Sequence, residues 1–184
     1  QEHLEALFGT ADARGLIEFA GTPEERFKKI TTLYETQLRT AARFKLVRTF
    51  TMINSGGRVE YLLFFGTNNE TGLSKFKAAM WKADPGDGCS FSDRSVSGQE
   101  VLFEPEPNLA LLTRILRERF RDKGFVDISD IERFVLVETP FLDTHIKTKT
   151  LAPMERATPP LIEIRRAPDK KRCTYPPGTK IKFL

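Results

Sequence analysis

The sequence predicts an α+β fold, and three patterns along its 184 residues indicate this class. Several segments repeat apolar residues at helical spacing and begin with residues that cap helices. Two pairs of β-branched and aromatic runs have the length and spacing of antiparallel hairpins. Beyond residue 108, three predicted helices precede the second hairpin, an order typical of a winged helix-turn-helix domain.

The first predicted element is a helix over residues 22–43. Thr22 suits its N-cap, Pro23 suits its first turn, and Glu25 completes a capping box. Apolar residues three or four positions apart indicate one packed face, and they are Phe27, Ile30, Tyr34, Leu38 and Ala41.

An antiparallel hairpin is predicted over residues 45–65, with its turn at residues 54–57. The second strand, 59–65, is apolar on both faces, so we expect it to lie inside a sheet. Because an isolated hairpin is only marginally stable in water, it needs a partner surface. We expect it to pack against helix 22–43 and a second helix at 71–83, with further strands or a second copy of the chain covering any open face.

A boundary is predicted after the second helix, because residues 84–98 are rich in Gly, Ser and Asp. The expected organisation is one unit at 1–83, a connection at 84–107 and a domain at 108–184. A short strand is expected at 100–103. The connection contains three acidic residues, Asp84, Asp87 and Asp93. They either hold a cation or line a solvated loop, and their spacing matches no EF-hand.

The C-terminal domain begins with two predicted helices. The first, at 108–123, carries apolar residues on one face and ends at Gly124. A capping box of Ser129 and Glu132 is expected to open the second, at 130–139.

A third helix is predicted at 142–156, with Pro153 distorting its last turn. Its inward face, which includes Ile146, is expected to pack on the two preceding helices. Strands at 161–166 and 179–183 alternate apolar and polar residues and form the second hairpin.

Positive charge is concentrated at the C-terminal end of the chain. The net charge of the whole chain is +4, whereas residues 141–184 alone carry a net +6. This segregation indicates one surface and one polyanionic partner, and nucleic acid is the expected one. The alternative is a solvated basic surface without a partner. The residues expected at the interface are His145, Lys147, Thr148, Lys149, Arg156, Arg165, Arg166, Lys170, Lys171 and Arg172.

Other classes of protein leave weaker signals in this sequence. No run of about 18 apolar residues predicts a membrane span, and residues 1–9 do not resemble a signal peptide, so a cytoplasmic protein is expected. Cys89, Cys173 and the two histidines show no zinc-ligand spacing. No Gly-rich phosphate loop or nucleophile elbow is recognisable, so no catalytic residue, cofactor site or metal site is assigned to these positions.

The sequence also resembles that of three-Cys-motif partner proteins over roughly residues 20–184. The stretches that carry the resemblance most specifically are Gly66-Thr67-Asn68, Gly72-Leu73, the run Lys77 to Pro85, and Phe91-Ser92-Asp93. Looser agreement is found in Thr139-Pro140-Phe141, His145-Ile146-Lys147 and the run Thr174 to Ile181. The chain departs from the family pattern at Phe76, where many members have Met, and at Cys173, where Gly is frequent.

The resemblance implies a methyltransferase-type Rossmann domain followed by a winged helix, encoded beside a three-cysteine, radical-enzyme-like protein. Helix 22–43 and hairpin 45–65 would then be the last helix and the antiparallel last strands of the Rossmann sheet. In longer members the S-adenosylmethionine loop is expected upstream of Gln1. Whether a methyl group is transferred is left open.

Two functions follow as hypotheses. One is a module that binds DNA or RNA and delivers it to a methyltransferase-like domain. The other is a protein-interaction module that docks the three-cysteine partner. A steep loss of duplex binding with added salt would favour the first.

Overall fold

The computed structural model describes residues 2–54, 56–86, 88–92 and 106–184 of the chain. Helices and two three-stranded sheets form the fold, so the predicted mixed α+β class is confirmed. The helices are α1 Glu2–Phe8, α2 Pro23–Thr40, α3 Glu70–Ala83, α4 Leu109–Phe120, α5 Ile128–Glu138 and α6 Ala152–Arg156. The strands are β1 Leu46–Ile53, β2 Val59–Thr67, β3 Ser90–Ser92, β4 Val126–Asp127, β5 Ile162–Arg165 and β6 Lys180–Phe183.

Helix α2 begins as the sequence predicts. The Thr22 hydroxyl accepts the Glu25 N–H at 3.2 Å, and the Glu25 carboxylate accepts the Thr22 N–H at 2.8 Å, which completes the capping box. The helix ends at Thr40 rather than near residue 43. Before it, α1 and a 3₁₀ helix at Ala11–Leu16, which the sequence did not predict, contribute a small apolar cluster that packs along α2.

The first sheet has the strand order β2-β1-β3, with β1 and β2 antiparallel and β3 parallel to β1. The expected hairpin is therefore confirmed, but the expectation that its second strand lies inside the sheet is wrong. In the described part of the chain β2 is an edge strand, and β1 holds the centre. Three alternate side chains of β2 are consequently about half exposed, and they are Val59 at 46%, Tyr61 at 53% and Leu63 at 47%.

The two faces of this sheet are partly covered by the flanking helices, as predicted. Tyr34 of α2 contacts Phe64, with ring centroids 4.6 Å apart, and Phe76 of α3 stacks on Phe65 at 4.2 Å. Phe50, from the central strand, is buried. Aromatic contacts of this kind anchor the hairpin to both helices.

The C-terminal region, residues 106–184, forms the second sheet in the order β4-β6-β5, with both pairings antiparallel. Strand β4, which the sequence did not predict, enters between α4 and α5. The predicted capping box of Ser129 and Glu132 is wrong, because α5 begins two residues earlier. Asp127 is its N-cap and accepts the Ser129 N–H at 3.0 Å.

The core of the C-terminal region gathers side chains from its helices and from both strands of its hairpin. Its fully buried members include Leu112, Leu116, Ile131, Val135, Ile146 and Ile181. The burial of Ile146 among them confirms the expected inward face of the third predicted helix. Trp81 of α3 belongs to the same core, so the N-terminal part of the chain contributes to it. The domain bounds given above stay predictions, and the strand expected at 100–103 lies outside the described residues.

Candidate nucleic-acid interface

The segment predicted as one helix at 142–156 has three different helical geometries. A 3₁₀ turn at Asp143–His145 is followed by a π-helix at Lys147–Leu151 and then by α6. Pro153 has no N–H, and its ring crowds the carbonyl one turn before it, so the regular ladder cannot continue there. The Leu151 N–H instead bonds the Ile146 carbonyl, five residues back, at 2.8 Å.

This widened turn changes which side chains face outward. Regular helical spacing places His145 and Ala152 on the outward face, but both are buried, at 4% and 2% exposure. The His145 ring lies edge-on to Trp81 at 4.6 Å, and its Nδ1 accepts the Leu142 N–H at 3.3 Å. Burial, together with the nearby Lys149 and Lys77, lowers the pKa of His145, which favours a neutral ring. The expectation that His145 lies on the outward face is therefore wrong, and its side chain is not accessible to a partner.

Arg166 is also not an available contact residue. Its side chain is only 12% exposed and forms an ion pair with Glu155, whose side chain is 11% exposed. A second guanidinium nitrogen of Arg166 donates to the Lys171 carbonyl at 2.7 Å. Arg166 therefore shapes the β5–β6 loop, residues 166–179, rather than presenting charge at the surface.

Glu155, which the sequence reasoning missed, ties this loop to α6 through several polar contacts. Its carboxylate accepts the Cys173 N–H at 3.2 Å and the Tyr175 hydroxyl at 2.7 Å, in addition to the Arg166 guanidinium. Burial and this carboxylate raise the pKa of Tyr175, which stays protonated as a donor. The sequence feature that could have identified Glu155 is its position as a single carboxylate at the end of a predicted helix, within the strongly basic residues 141–184.

Two predicted contact lysines already have acidic partners. Lys147 is half-buried and pairs with Glu132 of α5 at 2.7 Å, and Lys170 pairs with its neighbour Asp169 at 2.7 Å. Exposed pairs of this kind are weak, so these lysines can still meet a phosphate. Their contribution to binding is nevertheless reduced, because a polyanion must compete with the carboxylate.

The remaining predicted residues are exposed, and they are Thr148, Lys149, Arg156, Arg165, Lys171 and Arg172. Arg165 lies over the Phe125 ring at 3.7 Å. The Arg172 side chain is 67% exposed, and one of its nitrogens donates to the Glu155 carbonyl at 3.0 Å. Because Arg172 binds α6 directly, the loop and the last turn of the helix present their positive charges side by side. The exposed Lys180 of β6 is opposite Arg165 in the strand register and extends this charge, and sequence reasoning had not singled it out.

A second set of contacts joins the first sheet to the end of α5. The buried Lys77 ammonium donates to the carbonyls of Val135 and Leu136 at 2.9 and 3.0 Å. Arg48 donates to two further carbonyls just beyond, those of Val137 and Thr139, and the Trp81 indole donates to the Pro140 carbonyl at 2.8 Å. These donors satisfy carbonyls that a helix end leaves unpaired. We call this set the α5 junction.

In the part of the chain that the structure describes, no cluster of three or more His, Cys, Asp or Glu side chains could hold an ion. The Asp84 carboxylate accepts the backbone N–H groups of Gly86 and Ser90, both at 3.1 Å. Asp87 and Asp93 lie outside the described residues.

Among the described residues no helix is long and apolar enough to cross a membrane. Comparisons of the chain with models of protein families, with curated proteins and with solved structures found no match.

Proposed function

We propose that the C-terminal region is a winged helix-turn-helix module that binds nucleic acid, with the β5–β6 loop as its wing. The observed order of elements is consistent with this interpretation: a helix, a short strand, a second helix, a third helical segment and a hairpin. The sheet order β4-β6-β5 supports it as well, because the strand between the first two helices pairs with the hairpin.

The single observation that carries the proposal is the exposed basic surface of the wing and the end of α6. Lys149, Arg156, Arg165, Lys171 and Arg172 are exposed within residues 149–172, and Arg172 ties the loop to the helix. Like charges held this close repel one another unless an anion neutralises them. Regularly spaced phosphates supply that charge, and releasing their counterions provides a large part of the free energy of binding.

The arrangement favours contacts to the phosphate backbone over reading of bases. With His145 buried, Thr148 and Lys149 are the exposed polar residues of the π-helix, so few side chains remain to reach base edges. Phosphate contacts position a protein on its nucleic acid without specifying sequence. We therefore infer an affinity that depends weakly on sequence and strongly on salt.

The resemblance to three-Cys-motif partner proteins belongs to this proposal. On that basis the module would serve a methyltransferase-like parent, and S-adenosylmethionine would bind in the part of such a parent that lies outside these residues. The competing proposal is that the same surface docks an acidic patch of the three-cysteine protein. The exposed cations fit either partner, and the experiment below separates them.

A salt titration of duplex binding tests the proposed function. If each of the five exposed cations meets one phosphate, the slope of log K against log salt is about −4 to −5, from about 0.9 per phosphate. Replacing Lys170, Lys171 and Arg172 together with Ala removes two of these five cations, so we expect the slope to become shallower by about 2 and binding to all sequences to weaken alike.

A matched control removes the same number of charges elsewhere. Lys28, Lys75 and Lys82 are exposed lysines of α2 and α3, and replacing them with Ala should leave the slope unchanged. If both triple variants weaken duplex binding equally, binding depends on the net charge of the protein and not on the wing. Absence of duplex binding by the wild-type protein, with tight binding to the three-cysteine protein, would replace this proposal with the interaction module.

A further inference from the structure

We propose that Glu155 is a positioning residue for nucleic-acid binding, which holds the wing in place although its own negative charge repels the ligand. This inference rests on the proposed function and identifies the contact on which the geometry of the basic surface depends. It predicts that removing an acidic residue from a basic surface weakens the binding of a polyanion.

The geometry is that of one carboxylate shared by four groups of the wing. Oε1 pairs with the Arg166 guanidinium and lies 3.9 Å from Nε of Arg172. Oε2 accepts the Cys173 N–H and the Tyr175 hydroxyl. Glu155 itself is on α6, so each of these contacts ties the loop to the helix.

Two further polar contacts between this loop and α6 lie close to the carboxylate. Arg172 donates to the backbone carbonyl of Glu155, and the Cys173 sulfur lies 4.0 Å from the Ala152 carbonyl. Without the carboxylate, the buried Tyr175 hydroxyl would lose its acceptor, and the nearly buried Arg166 guanidinium would keep only the Lys171 carbonyl. Leaving such donors unpaired is costly, so the loop would move to hydrate them.

Electrostatics gives a second reason for the loop to move. Five cationic residues fall between 165 and 172, with Asp169 as the one acidic residue among them. Glu155 adds a second negative charge at close range and offsets part of their mutual repulsion. In a loose loop these long side chains would have to be ordered at the moment of binding, which weakens affinity.

The two effects of Glu155 have opposite signs, which makes the inference testable. If the carboxylate acts only through its charge, Glu155→Gln raises the net charge by one and binds a duplex more tightly. If it positions the wing, the same variant binds more weakly. Glu163→Gln is the matched control, because Glu163 is an exposed carboxylate on β5 and has one partner, Lys182, at 4.0 Å.

The experiment compares wild type, Glu155→Gln and Glu163→Gln for binding to a mixed-sequence DNA duplex at two salt concentrations. We expect Glu163→Gln to bind as tightly as wild type or slightly more tightly. Glu155→Gln is expected to bind about tenfold more weakly, the ordering cost of one or two long side chains. Glu155→Gln binding as tightly as Glu163→Gln would overturn the inference.

A readout without nucleic acid measures the position of the wing directly. Trypsin cleavage after Lys170, Lys171 and Arg172, and alkylation of Cys173, should both be faster in Glu155→Gln and unchanged in Glu163→Gln. Unchanged rates in Glu155→Gln would also overturn the inference.

If Glu155→Gln does not fold, a second variant still tests the inference. Tyr175→Phe removes one donor to the carboxylate with no change in charge, and it should accelerate cleavage and weaken duplex binding in the same direction but less. A Tyr175→Phe protein that is cleaved at the wild-type rate and binds the duplex with wild-type affinity would contradict the inference. Absence of duplex binding by both wild type and Glu163→Gln would instead refute the proposed function, and the inference with it.

Discussion

Both sheets of this protein have three strands, but their side chains are buried to very different degrees. The C-terminal sheet is backed by α4, α5 and the segment around α6, and its core residues Leu112, Ile131 and Ile181 are fully buried. The first sheet is flanked by α2, which buries none of its own side chains, and its edge strand β2 leaves apolar residues half exposed. An apolar strand at an open edge is a template for pairing with another strand.

The first sheet is supported on one side more than on the other. On one side it is held by the α5 junction, where Arg48, Lys77 and Trp81 bind the carbonyls at the end of α5. On the other side, β2 has an unpaired edge in the described part of the chain. The C-terminal core is thus closed by its own elements together with Trp81 of α3, whereas the first sheet keeps one open edge in the described part of the chain.

Core truncation should give the largest difference between the two regions. Leu112→Ala removes a fully buried side chain from the C-terminal core and is expected to reduce the free energy of unfolding by about 2–5 kcal/mol. Leu63→Ala, on the half-exposed edge strand, should change it by about 0.5 kcal/mol or less. Urea denaturation followed by tryptophan fluorescence measures both, and similar losses would show that β2 is covered in solution.

A smaller effect is expected where the segment after α3 returns to the α5 junction. Gly88 has a φ of +66°, and a Cβ there would lie 2.5 Å from Nε1 of Trp81, so Gly88→Ala should displace the indole from the Pro140 carbonyl. We expect a loss of about 1–3 kcal/mol from backbone strain alone, with the clash adding to it. Gly124→Ala is the control, since its φ is +65° with open space around it. Equal losses in the two variants would contradict the close contact with Trp81.

The subtlest test concerns the pH dependence of the α5 junction. Burial, with help from Arg48, lowers the pKa of Lys77 from 10.5 to about 7. Between those values the unfolded chain binds more protons than the folded one, so the contribution of Lys77 to the free energy of unfolding rises as the pH rises from about 7 towards 10.5.

Lys77→Met keeps the aliphatic stem but leaves two carbonyls without their donor, at an expected cost of about 1–3 kcal/mol. This cost should be larger at pH 9 than at pH 6, because the buried ammonium penalises the wild-type protein at low pH. Lys75→Met, on the exposed side of the same helix, should cost about 0.5 kcal/mol or less at either pH. A cost of Lys77→Met that does not change with pH would mean that the lysine stays charged in the folded protein.

Much of the fold was predictable from local patterns. The capping box of Thr22 and Glu25, the hairpin that pairs Leu46 with Thr67, and the C-terminal strands are specified by residues close together in the sequence. The errors have equally local causes. The Asp127 cap was missed in favour of Ser129, and the regular helical spacing applied to 142–156 failed because Pro153 forces a wider turn.

The basic surface could be predicted from the sequence as a region, but the exposure of its individual residues could not, and its role as an interface stays a prediction. Because net charge follows from composition, the basic character of residues 141–184 is evident from the sequence alone. Which cations are accessible depends on partners far away in sequence, such as Trp81 beside His145 and Glu155 beside Arg166. No spacing rule along the chain identifies such a partner.

The sequence by itself determined the α+β class, the positions of the principal helices and hairpins, and the concentration of positive charge at the C-terminal end. Only the tertiary structure decided that β2 lies at a sheet edge, that Lys77 and Arg48 bind the end of α5, and that Glu155 withdraws Arg166 from the surface. The physical reason is the range of the interactions. Periodicity and capping act within a few residues, whereas burial and ion pairing are set by which distant segments pack together.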